Sequence, residues 1–151
     1  MNNRFLDYRP PRIAMTLILL AAAMHVLVPL LPVQLFASKL VAISVGVSGF
    51  AVMMKAWCQF QQYKVAICPT DETDYLITDG VYRLTRNPMY LGMIMMLFAI
   101  AAFIGTLPFY AAAISYFAII NWVFCLYEEE KLERAFGQDY RAYRSQVRRW
   151  I

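Results

Sequence analysis

Four long, almost uncharged apolar runs, at residues 13–31, 40–57, 88–104 and 107–126, constrain this chain more than anything else in it. A bilayer core of roughly 30 Å takes about 20 apolar residues to cross as a helix, and inside hydrocarbon each backbone N–H and C=O must find its partner within its own segment. The runs therefore predict an all-α integral membrane bundle of four transmembrane helices, built as a single membrane domain over 1–151. Composition agrees: 61% of residues are hydrophobic and only 16% are charged, whereas a soluble domain is about a quarter charged. The first run follows Arg4, Arg9 and Arg12, as a secretory signal would. It is longer than the roughly 7 to 15 apolar residues of a signal core and ends in Pro29-Leu30-Leu31-Pro32 without a small-residue cleavage site, so it reads as a span.

Within the second run Ser44, Gly46, Ser48 and Gly49 offer small surfaces for close helix contact. Gly105-Thr106-Leu107-Pro108 leaves room only for a tight turn, which makes the third and fourth spans an antiparallel hairpin. The long polar connection is 59–87. Lysine and arginine favour cytoplasmic loops, and the basic residues divide unevenly. The N-terminal tail, the 59–87 connection with its flanks and the C-terminal tail hold 13 of the 14; Lys39 alone lies in the first connection, and the hairpin turn has none. Both termini are expected in the cytoplasm. A basic rim facing anionic headgroups accounts for the net charge of +4 without any nucleic acid.

Polar residues inside the spans are few. Lys55 can snorkel, Asn121 can bond to a neighbouring helix, and His25, the only histidine, excludes a multi-histidine metal centre. Cys58, Cys68 and Cys125 form no CxxC pair, so neither a disulfide framework nor a metal site is expected. The absence of a mid-membrane carboxylate argues against a proton-coupled transporter.

Chemistry gathers instead at two membrane boundaries. In Thr78-Asp79-Gly80-Val81-Tyr82-Arg83-Leu84-Thr85-Arg86-Asn87-Pro88-Met89-Tyr90, Asp79-Gly80 signals a turn, and Asn87-Pro88 reads as an N-cap followed by proline at the first helical position. Free N–H groups and the positive dipole end at that start, together with Arg86, can hold a carboxylate. The second boundary is Tyr127-Glu128-Glu129-Glu130-Lys131-Leu132, continuing through Phe136-Gly137 to Tyr140 and Tyr143 as a juxtamembrane amphipathic helix. Three carboxylates at the C-terminal end of a span oppose its dipole and one another, a broken local rule of the kind that marks function. Spans three and four have similar lengths, so Arg86–Tyr90 and Glu128–Glu129 are expected at one membrane level. Facing each other, they would offer an anion site, acceptor carboxylates and apolar surface, an inventory that suits a zwitterionic nucleoside cofactor among other ligands.

In Leu76-Ile77-Thr78-Asp79-Gly80-Val81-Tyr82, Arg86-Asn87-Pro88-Met89-Tyr90-Leu91-Gly92, and Glu128-Glu129 with Leu132, Phe136-Gly137, Tyr140, Tyr143 and Val147, the chain resembles the isoprenylcysteine carboxyl methyltransferase and phospholipid methyltransferase superfamily of membrane enzymes. The resemblance covers about half the chain. It implies S-adenosyl-L-methionine held by the segment from Leu76 and Ile77 to Tyr82, by Asn87, Pro88, Met89 and Tyr90, and by Glu128 and Glu129. Two departures concern the acceptor. The carboxyl methyltransferases usually have histidine before the proline, where this chain has Asn87, as the phospholipid enzymes do. They also carry an arginine one turn before the glutamate pair, where this chain has Phe124.

The expected function is methyl transfer to a lipophilic or membrane-embedded acceptor that the sequence does not identify, with Glu129 or Glu128 as the base where an amine must lose a proton. Three alternatives stand beside it: a phospholipid N-methyltransferase, a nicotinamide-dependent membrane reductase, since sterol reductases resemble this C-terminal region, and a small transporter or partner protein without enzymatic activity.

Overall fold

The computed structural model describes residues 10–27, 39–63 and 75–151; Arg4, Arg9, Lys64, Cys68 and the expected end of the first span at 28–31 lie outside them. Among the described residues the protein is all-α, without a β-strand: α1 is Pro10–Leu27, α2 Lys39–Tyr63, α3 Pro88–Ile104, α4 Leu107–Ile119 and α5 Cys125–Gln146. A 3-10 turn, Gly80–Arg83, precedes α3, and a π-helical turn, Ile120–Phe124, joins α4 to α5. The helices α1, α2 and the helical run Leu107–Gln146 are long and apolar enough to cross a membrane, and α3 is a shorter apolar helix of 17 residues.

Local chemistry sets the ends of α3 and α4. Proline occupies the start of each, where its missing N–H would have no partner anyway. Gly105 closes α3 in the left-handed region (φ 72°), with its N–H on the Ala101 carbonyl at 2.8 Å, and the chain turns straight into α4. At roughly 1.5 Å per residue the stretch from Leu107 to the kink at Gly137 (φ 52°, ψ −113°) is about one and a half times as long as a bilayer core is thick, so the apolar part to Leu126 spans and the charged remainder lies outside.

The helices pack in the order α1, α4, α3, α2, which puts the α3–α4 hairpin at the centre. Between α2 and α3 the backbones nearly touch. A Cβ on Gly49 would lie 2.7 Å from the Met95 Cβ and 2.8 Å from the Gly92 carbonyl, and one on Gly46 would meet Ala99 at 3.2 Å. Glycine is what permits that approach. Ser44 and Ser48 are exposed instead, and the Ser44 hydroxyl bonds back to the Leu40 carbonyl at 2.9 Å. Tyr116, Phe124 and Ile120 are completely buried in the main core, while Leu19, Val26, Leu40, Val47, Phe50, Ile114 and Trp122 are exposed, a distribution suited to lipid contact. His25 and Lys55 are exposed, the former with its ring edge-on to Phe109 at 6.1 Å.

Candidate functional site

The segment entering α3 is anchored from α2. The Asp79 carboxylate accepts hydrogen bonds from the Tyr63 hydroxyl (2.7 Å) and the Gln59 amide (3.2 Å), and the Gln59 carbonyl oxygen accepts the Val81 N–H at 3.1 Å. Gly80 has φ 57°, and a Cβ there would strike the Gln59 amide. Ile77 and Tyr82 are buried with Ala56 in a small apolar cluster, on which Met89 and Phe60 also pack. Leu76 is half-buried at its edge. The Tyr82 carbonyl accepts the Tyr143 hydroxyl at 2.7 Å, tying the turn to α5.

The start of α3 and the acidic run meet, as their spacing predicts. The Tyr90 hydroxyl donates to Glu128 Oε1 at 2.5 Å, and Arg86 Nη2 lies 3.2 Å from Glu129 Oε1. One feature of the sequence reading is corrected. The glutamates do not end a helix: α5 carries on past them for about two turns to a kink at Gly137 (φ 52°, ψ −113°) before resuming to Gln146, so no negative dipole pole faces them. Asn87 is at the N-cap position but makes no side-chain cap bond; its Nδ2 lies 3.4 Å from the Arg149 carbonyl instead. Tyr140, on the juxtamembrane helix, is buried within the protein.

The two glutamates sit in different surroundings. Burial pushes the part-buried Glu128 carboxyl up to about 7, against the bond from Tyr90 and the charge of Lys131. Burial also raises Glu129, but hydrogen bonds from Arg149 and the charges of Arg86 and Arg149 outweigh it and hold Glu129 below the usual carboxylate range. Arg86 keeps unspent capacity. Its Nε and Nη1 are buried and make no well-aligned hydrogen bond among the described residues, and the buried Tyr140 hydroxyl lies against the same guanidinium.

Sequence reasoning missed the C-terminal tail. After α5 the backbone becomes extended at Val147 (φ −119°, ψ 130°) and returns to the site. The Arg148 carbonyl accepts the Arg86 N–H at 3.0 Å, and the Arg149 carbonyl accepts the Thr85 hydroxyl at 2.7 Å. Arg149 grips both Glu129 oxygens, through Nε and Nη2, each at 2.8 Å. Its Nη1 reaches the Asn121 side chain at 3.1 Å, the same oxygen that accepts the Trp150 indole N–H at 3.0 Å. In the sequence Arg149 is one more cation of a basic rim, and no local spacing ties it to Glu129 or Asn121.

Comparison with known proteins places this geometry in context. The phospholipid methyltransferase family matches residues 37–139, more than half of the chain. An uncharacterized protein of Haemophilus influenzae is 35% identical over 63 residues, 42% of this chain and 100% of that protein. No solved structure matches significantly. The chain belongs to the phospholipid methyltransferase family, a group of membrane methyltransferases.

Proposed function

We propose that this member of the phospholipid methyltransferase family transfers a methyl group from S-adenosyl-L-methionine to a lipophilic acceptor, at the boundary where α3 starts and α5 begins. The observation that carries the reading is the meeting of Arg86 and Tyr90 with Glu129 and Glu128 at one end of the central hairpin. The residues present fit the donor. The buried Nε and Nη1 of Arg86, without a well-aligned hydrogen bond among the described residues, suit its carboxylate, and the part-buried carboxylate of Glu128 can accept from a ribose hydroxyl or an ammonium. Leu76, Ile77, Tyr82, Asn87, Pro88 and Met89 complete the proposed cradle. Bound there, the donor supplies an electrophilic methyl group on sulfur, so no covalent enzyme nucleophile is needed. The protein's share is to hold the reacting groups in line and to exclude water.

Of the two candidate bases, Glu128 is the better. Glu129 is held ionised by two guanidiniums and is a weak proton acceptor, whereas a carboxyl near 7 is matched to taking a proton from an amine at neutral pH. Phe124 is completely buried, edge-on to Tyr90 with ring centres 6.5 Å apart, and offers no counter-ion to a substrate carboxylate. An amine-bearing lipid therefore suits the site better than a prenylcysteine. The family's description favours methyl transfer over nicotinamide chemistry. We place both termini, and with them this site, at the cytoplasmic face, following the basic residues.

Calorimetric titration of purified protein with S-adenosylhomocysteine tests the reading. Micromolar binding, lost in Glu128→Gln/Glu129→Gln protein, is expected. Folded protein that binds a nicotinamide dinucleotide and not S-adenosylhomocysteine would refute it.

A further inference from the structure

The least expected feature of the site is how completely the C-terminal tail is built into it. Residues 147–151 run along the 85–87 segment, with the Arg148 and Arg149 carbonyls taking the Arg86 N–H and the Thr85 hydroxyl. On the other side the Trp150 ring packs on Phe117, with centroids 5.5 Å apart, and its N–H bonds to Asn121. The tail thus ties the start of α3 to the end of α4, adding to the direct contact that the Tyr116 hydroxyl makes with the Met93 sulfur at 3.4 Å.

Asn121 lies in the π-helical turn, whose wider pitch frees backbone acceptors, and π-turns of this kind cluster at functional sites. Arg149 uses both Asn121 oxygens, the side-chain one at 3.1 Å and the main-chain carbonyl at 3.4 Å. All three guanidinium nitrogens of Arg149 are therefore engaged within the protein, two of them on Glu129. Arg86 contrasts with it. It shares Glu129 Oε1 with Arg149 through Nη2 alone, and its other two nitrogens are buried without a well-aligned hydrogen bond among the described residues, next to the Tyr140 hydroxyl. A planar guanidinium pinned at one corner by a carboxylate that cannot turn away presents its remaining donors in a fixed direction.

We infer that Arg149 is a positioning residue for the methyl-donor site: carried in by the C-terminal strap, it fixes the Glu129 carboxylate and, through it, holds Arg86 with two donors aimed at an anionic group. This inference rests on the reading given under Proposed function. Arg149 itself touches no donor or acceptor, because its nitrogens are already used. The carboxylate of the donor's amino-acid part is the group that Arg86 would receive. The consequence is selective: loosening Arg149 weakens ligands that carry that carboxylate and spares those that lack it.

The test is calorimetric titration of wild type, Arg149→Lys and Arg149→Gln with two probes, S-adenosylhomocysteine and 5′-methylthioadenosine, which lacks the amino-acid part. Wild type is expected to prefer S-adenosylhomocysteine. Arg149→Gln should bind that ligand about tenfold more weakly, the loss of one charge-assisted contact, with methylthioadenosine binding unchanged. Arg149→Lys keeps the charge without the fork and should fall between them, which guards against a misfolded glutamine variant. Equal weakening of both probes would make the strap a general support and overturn the inference. Unchanged binding of S-adenosylhomocysteine in Arg149→Gln would overturn it too, while the methyltransferase reading stands. Failure of wild type to bind either probe would instead remove that reading, and the inference with it.

Discussion

Glu128 and Glu129 are adjacent on one helix, yet burial dominates at the first and two guanidiniums at the second, and their protonation separates accordingly. Because the folded protein holds a proton on Glu128 up to about 7, Glu128 contributes stability that is complete below the ordinary carboxylate pKa and is lost as pH rises through 7. Replacing it by glutamine imitates the protonated form. Glu128→Gln should therefore match wild type in thermal unfolding near pH 4.5 and exceed it at pH 8, on the order of 1–2 kcal/mol. A variant less stable than wild type at pH 8 would show that Glu128 is held as an anion. The same ionisation governs the proposed chemistry. With an amine acceptor, kcat/KM should climb with pH through about 7 and level off above it, since only the carboxylate can take the proton. Glu129 behaves in the opposite way. Its removal leaves the part-buried Arg86 and Arg149 side by side without their shared anion, so Glu129→Ala should lose about 2–3 kcal/mol.

At the scale of elements, the close crossing of α2 and α3 depends on Gly49 and Gly92. A Cβ on Gly92 would sit 2.7 Å from the Met53 Cβ and closer still to the Gly49 carbonyl, backbone that has nowhere to move. Gly92→Ala should lower stability by about 1–3 kcal/mol, whereas Ser48→Ala on the exposed face of α2 should be neutral; differential scanning fluorimetry in one detergent compares them. The limits of α3 and its hairpin with α4 could be read from Pro88, Gly105 and Pro108, because caps and turns are local chemistry. The pairing of Arg86 and Tyr90 with the glutamates also followed from two helix lengths. The π-helical turn did not. α4 is apolar on all sides, so one turn of altered pitch leaves no periodic trace, and the sequence of 107–126 predicts only an ordinary span. Nor did the tail: the bonds from Arg149 cross 20 and 28 residues and those to its carbonyl 62 and 64, separations that only the folded chain brings together.

For the molecule as a whole, the proposed site lies at one end of the central hairpin, and α1 and α2 pack on its flanks. Such an arrangement requires Pro88, Glu128 and the C-terminal tail at one membrane surface and the Gly105 turn at the other, which the observed lengths of α3 and of Leu107–Leu126 allow. The orientation proposed from the basic residues turns this into an experiment on intact cells. In a background of Cys58→Ser and Cys68→Ser, with the buried Cys125 retained, single cysteines are introduced at Thr78, Gln138 and Leu107, all exposed. A membrane-impermeant maleimide added outside should label the Leu107 position alone, and the other two should react only after the membrane is opened. Labelling of the Gln138 position from outside would invert the protein and put the proposed donor site away from the cytosol. Labelling of the Thr78 and Gln138 positions from opposite sides would separate the two halves of the site. Neither result is compatible with a hairpin that brings Arg86 within 3.2 Å of Glu129 and draws its methyl donor from the cytoplasm.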